Sequence, residues 1–163
     1  MGFTIHVDDA AVLAALRRLV GVFDDRSAIA KEVAELGESA TRLRFRTETA
    51  PDGTRWKPSL RAQVSGGRTL TEAGHLSGSI SSQSGADFAE WGVNRIYAAI
   101  HQFGGTIRAR NAGALRFRLA NGGFAMVRAV KMPARPYLGI SPDDASDIVA
   151  MIQRRLQGAL NAP

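Results

Sequence analysis

Three histidines, His6, His75 and His101, and two carboxylate pairs, Asp24-Asp25 and Asp143-Asp144, are the residues best suited by type to hold a metal or move a proton. Their spacing suits neither task. A metal site needs several ligands converging from neighbouring positions, and no two of these histidines have ligand spacing. Each aspartate pair falls at a predicted helix boundary, where capping accounts for it without an acid–base role. Gly74-His75-Leu76-Ser77-Gly78 has its serine one place away from a nucleophile elbow, and no Walker loop, dinucleotide fingerprint or HExxH pair occurs. His101 falls in the last turn of a predicted helix, where an imidazolium would meet the negative end of the dipole, so its expected role is structural hydrogen bonding. The pattern argues against an enzyme and calls for no metal and no cofactor.

Charge carries more information. The 163-residue chain has 21 Lys and Arg against 15 Asp and Glu, a net charge of +6, and the excess is concentrated. From Trp91 to Pro142 there is no acidic residue, while Arg95, Arg108, Arg110, Arg116, Arg118, Arg128, Lys131 and Arg135 all fall there. Such a stretch fits a face for a polyanion or an acidic protein partner, with Arg108, Arg110, Arg116, Arg118 and Arg128 as the contact residues. The plainer alternative is that strand-rich segments carry arginine for solubility and to protect sheet edges.

The elements that must position these residues fit one domain spanning 1–163, a length that buries a real core. With 45% hydrophobic and 7% aromatic residues the composition is globular, and the absence of cysteine leaves no disulfide framework or thiolate zinc site. Residues 1–7 lack a basic n-region and a long apolar h-region. The longest apolar run, Ala10 to Leu16, stops at Arg17-Arg18, too short to span a bilayer. A soluble protein made in a reducing cytoplasm, with no membrane partner, is expected.

A short strand is predicted over Thr4–Val7, then a helix capped by Asp8 or Asp9 running to about Val20 and broken at Gly21 and Asp24-Asp25. A longer helix over Ser27–Phe45 carries an apolar stripe of Ile29, Val33, Leu36, Ala40 and Leu43. Pro51-Asp52-Gly53 is a turn, and Trp56 to Arg68 reads as an irregular loop, most flexible at Ser65-Gly66-Gly67, with Trp56 anchoring it. Leu70–Ile80 reads as a short helix. Ile80–Gln83 and Phe88–Val93 then form a hairpin, and Ile96–Phe103 a compact helix with Ile96, Ile100 and Phe103 on one face and Gly104 as a left-handed C-cap. Strands follow at Thr106–Arg110, Leu115–Leu119 and Phe124–Lys131, turning at Asn111-Ala112-Gly113 and Asn121-Gly122-Gly123. Leu115, Phe117 and Leu119 point to one side, Arg116 and Arg118 to the other. Pro133 and Pro136 stiffen the segment that aims Tyr137 and Leu138 at the core. Ser141-Pro142-Asp143-Asp144 opens a last helix that buries Ile148, Val149, Ile152, Leu156 and Leu160. The class expected is α+β, with N-terminal helices and a C-terminal helix packed on a small, mainly antiparallel sheet and a long flexible loop at 57–69.

Four separated segments, 51–56, 70–76, 97–105 and 132–139, occur in an order that resembles the phage virion morphogenesis family, the tail-completion proteins of Mu-like and P2-like contractile-tailed phages. The likeness runs from about Phe45 to about Leu156, and the N-terminal helices match in character more than in letters. The motif residues that the resemblance marks as structural are Trp56, Tyr97, His101, Gln102, Phe103, Gly104, Pro133, Arg135 and Pro136. It implies a virion assembly protein without catalysis or cofactor, acting in tail completion or head–tail joining as a ring-forming subunit. The loop after Trp56 would become fixed only when subunits or partners pack on it. Implied partners are other copies of itself, other phage tail or head-connector proteins, and non-specific contact with packaged DNA; implied locations are the host bacterial cytoplasm, then the virion. A small basic nucleic-acid-binding module is the alternative, and a hydrolase or nuclease the weakest reading.

Overall fold

The computed structural model describes residues 10–110, 113–119 and 122–162; the strand expected at Thr4–Val7 and its aspartate cap lie outside them. Helix α1, Ala10–Asp24, continues through Gly21 instead of breaking there. One helical glycine costs about 1 kcal/mol, and packing of α1 on the last helix, α5 (Pro142–Asn161), outweighs it. The break comes at Asp25, whose carboxylate accepts the Ala28 N–H at 3.2 Å and starts α2, Arg26–Thr47.

The face that α2 buries most deeply is not the expected stripe. Ala34, Gly37, Thr41, Arg44 and Phe45 are buried, while Leu43 is 49% exposed. Small residues win because a hairpin lies close: β1 (Ile80–Ser84) and β2 (Ala89–Val93), in register from Ile80 opposite Val93 to Ser84 opposite Ala89, pack on α2. The Trp91 indole covers Gly37, where any Cβ would overlap the ring. Arg42 fixes the hairpin's start by donating to Ile80 O at 2.6 Å.

Two connections differ from expectation. The irregular loop after Trp56 holds a short helix, α3 (Leu60–Ser65), because the Ser59 hydroxyl accepts the Ala62 N–H at 3.1 Å as an N-cap. The helix expected over Leu70–Ile80 is absent except for a 3-10 turn at Ser77–Ser79, since Leu70 and Gly74 take positive φ of 61° and 71°. Helix α4, Ala98–Phe103, starts later than expected, and Ile96 and Phe103 point to solvent, so Ile96, Ile100 and Phe103 form no core face.

The α+β class stands, with the strands among the described residues in three antiparallel pairs. Beyond β1–β2, β3 (Gly105–Arg108) pairs with β6 (Ala129–Met132), and nested within it β4 (Leu115–Arg118) pairs with β5 (Phe124–Val127). The last predicted strand is thus two, split at Arg128. Asn111, Ala112 and Asn121 of the predicted turns lie outside the described residues, but Leu119 N–H to Gly123 O at 2.7 Å closes the inner pair.

Helix α5 opens with a full capping box: the Ser141 hydroxyl accepts Asp144 N–H and the Asp144 carboxylate accepts Ser141 N–H. Met151 is its buried residue, whereas Val149 and Leu160 are exposed, because among the described residues the helix is covered chiefly by α1 and α2. The core itself is Phe45, Ala50, Trp56, Leu76, Ile80, Ala98 and Tyr137.

Candidate functional site

The nested pairs β3–β6 and β4–β5 make a two-stranded arm joined to the body at one root. At about 3.3 Å per residue, its two runs of four paired positions give roughly 26 Å of ladder. Helices α1, α2 and α5 and the β1–β2 hairpin pack on one another, whereas the arm's strands pack chiefly on each other.

Segments 97–104 and 132–139 meet at this root. Gly104 leaves α4 with φ 69° and ψ −171°, so the positive φ expected of a cap is present, but the extended ψ sends the chain directly into β3. A Cβ there would stand 2.6 Å from Ala134 N, so outgoing and returning legs approach this closely only at a glycine. Gln102 holds the returning leg on three atoms: its Oε1 accepts the N–H groups of Tyr137 and Leu138 at 2.9 and 3.0 Å, and its Nε2 donates to Leu138 O at 3.0 Å. Arg135 N–H donates to His101 O at 2.7 Å. The Tyr137 hydroxyl donates to Ala98 O at 3.0 Å, and burial pushes its pKa up to about 12.

Trp56 is buried against Phe45, ring centroids 5.4 Å apart, and donates to Pro136 O at 2.8 Å. Arg135 is buried too; its Nε donates to Lys57 O at 2.7 Å, and burial lowers its pKa. It therefore stands apart from the other cations of the acid-free stretch. The His101 ring is not the satisfied hydrogen-bonder expected of it. Burial first, then the Arg135 charge, push its pKa down, and its buried Nδ1 has no hydrogen-bond partner among the described residues. Tyr97 meets it edge-on at 5.9 Å. Pro133 is half-buried and Phe103 exposed.

Sequence reasoning missed Arg44. Its guanidinium donates to Tyr137 O at 3.1 Å and Gly139 O at 2.9 Å and pairs with Asp144, tying α2 and the start of α5 to the root. Its one signal was a cation between Leu43 and Phe45 on a helix read for its apolar face.

Along the arm, Arg108, Arg110, Arg116, Arg118 and Arg128 are all exposed, and none pairs with a carboxylate among the described residues. The expected apolar face is present, Leu115 and Phe117 lying opposite Val127 and Ala125, but the expected basic face is mixed. Arg116 lies opposite Met126 and Arg118 opposite Phe124, so one face mixes cations with apolar groups, and Arg116 stacks 4.5 Å over the Phe124 ring. On the other face Phe117 is 39% exposed instead of seated on a core. No cluster of three metal-ligating side chains occurs among the described residues, and no described helix is long and apolar enough to cross a membrane.

The model of the phage virion morphogenesis family matches residues 7–157. The chain is 33% identical to the putative capsid assembly protein G of Escherichia phage Mu over a 171-residue alignment, covering 98% of this chain and 97% of that protein. It is 32% identical over 154 residues to Mu-like prophage FluMu G protein 2 of Haemophilus influenzae, covering 94% and 95%. With FluMu G protein 1 of the same organism the identity is 28% over 158 residues, covering 91% of each. No solved structure matches the chain. Matched along nearly its whole length, the chain belongs to the phage virion morphogenesis family, and its role is a structural one in phage assembly.

Proposed function

We propose that the protein completes the tail or joins it to the head, as a subunit of a homo-oligomeric ring, without catalysis or cofactor. The observation that carries this reading is the arm. An isolated two-stranded ribbon is marginal in water, yet this one leaves Phe124 61% and Met126 71% exposed. Such a ribbon gains most when another surface covers it, as it would in an assembly. The named relatives support the same direction, one being a putative capsid assembly protein. Assembly would take place in the host cytoplasm and end in the virion, with other tail or head-connector proteins as neighbours.

A second reading, contact with DNA, is favoured by the five arm arginines that pair with no carboxylate among the described residues. Each phosphate neutralised adds about −0.9 to the slope of log affinity against log salt. Five such contacts would give a slope near −4.5. Light scattering after size exclusion, over a concentration series at two salt levels, decides between the two. A discrete ring with little DNA affinity is the expected result; a monomer that binds DNA with that salt slope would overturn the assembly reading.

A further inference from the structure

A cleft of about 250 Å³ lies between α2 and α5, its apolar lining including Leu36, Ala40, Leu43, Trp91, Ile140 and Ile148. Leu43 and Ile140 are 49% and 56% exposed there. The cleft continues past Ala40 and Leu43 to the start of α5 and the 51–53 turn. Asp52, Asp143, Asp144 and Asp147 stand along it. The cations on its walls are Arg46 and Arg44, and Arg44 is taken up by Asp144 and two carbonyls.

The arm has the opposite character, with exposed Phe124 and Met126 beside Arg116 and Arg118 on one face and no carboxylate. We infer that the β-arm of one subunit docks in the α2–α5 cleft of a second copy of this chain, its apolar side chains on Leu43 and Ile140 and its arginines against Asp143 and Asp147. Both halves of a complementary pair lie on one chain, which is why a second copy is the occupant. DNA would satisfy the arginines but leave the apolar cleft open. Desolvated apolar contacts at the centre and opposite charges at the rim are the arrangement that gives an interface affinity and register. The inference rests on the ring-forming reading and gives it a geometry. Arm and cleft are different surfaces, so the contact is head-to-tail and repeats from subunit to subunit until it closes.

Two full-length variants test it: Arg116→Glu with Arg118→Glu on the arm, and Asp143→Lys with Asp147→Lys on the cleft. All four positions are exposed, and circular dichroism with a thermal melt checks that both fold. Each variant alone is expected to associate about tenfold or more weakly than the wild type. Mixed, they offer one native arm–cleft contact per pair and one charge-swapped contact, so association returns only in the mixture. A folded variant that assembles like the wild type, or a mixture that stays monomeric, overturns the arm–cleft contact. If the wild type forms rings and neither variant disturbs them, only this contact falls; a wild type that never assembles removes the ring-forming reading with it. An arm variant that keeps its rings but loses salt-sensitive DNA binding assigns the arm to nucleic acid instead.

Discussion

Gln102 and His101 are neighbours on one turn of helix and show how differently two polar side chains can serve a root. Gln102 satisfies two donors and one acceptor on the returning leg, so both ends of its amide are engaged there. His101 bonds through its backbone carbonyl and leaves ring Nδ1 buried with no partner among the described residues. Its ordinary pKa of 6.5 is lowered by burial and by Arg135. Above that value folded and unfolded chains both hold a neutral ring. Below it the unfolded chain takes up a proton that the folded chain resists, so stability is lost as pH falls from about 7 to 5. The loss can approach 1.4 kcal/mol per pH unit for one group. Glu32 and Glu38 are held below the ordinary carboxylate range, by Arg155 and by Ser82 then Arg42 respectively, and titrate outside that window. His101→Leu is expected to flatten the slope between pH 7 and 5 while changing stability little at neutral pH, as about one proton fewer enters the balance. Urea melts at a series of pH values measure it; an unchanged slope would assign the acid sensitivity to another group.

At the scale of elements, the contact of α2 with the β1–β2 hairpin is set by an absence. Gly37 has no side chain, and the Trp91 indole occupies the space one would need. Gly37→Ala is expected to cost about 1–3 kcal/mol through overpacking, despite alanine's better helix propensity, and to shift the tryptophan fluorescence as the ring is displaced. A stabilised variant would mean that Trp91 has room to rotate away. This contact was poorly legible in the sequence, because a search for apolar periodicity finds Ile29, Val33 and Leu36 and passes over the small residues on the neighbouring face. Local signals fared better where chemistry is local. The Ser141 capping box and the turn between β1 and β2 could be read from their own residues, since each is satisfied by atoms within a few positions. The segment from Leu70 to Ile80 could not. Its composition suits a helix, but Thr69 N–H is bound by the Glu48 carboxylate and Thr69 Oγ1 accepts Ser59 N–H, partners 21 and 10 residues away. The root was visible only as two motif segments; that Gln102 closes them together over 35 residues is tertiary information.

For the molecule as a whole, the body and the arm are stabilised by separate sets of contacts. Arg108 and Ala129 are directly opposed, so replacing residues 109–128 with an Asn-Gly turn joins β3 to β6 in a two-residue hairpin. The shortened protein is expected to melt within roughly 0.5 kcal/mol of the wild type and to remain a monomer at every concentration. A loss of more than about 2 kcal/mol would show instead that the arm belongs to the folding unit.

Because the root clamps both legs of the arm to one another, the body sees the arm only as a loop whose ends are already held. The entropy of closing such a loop rises with the logarithm of its length, about 0.6 kcal/mol for each doubling. Arm length is therefore nearly free to drift while Gln102, Gly104 and Tyr137 stay fixed. Relatives could differ in the reach of this arm by pairs of residues added or removed between Arg108 and Ala129, leaving the remainder of the sequence untouched.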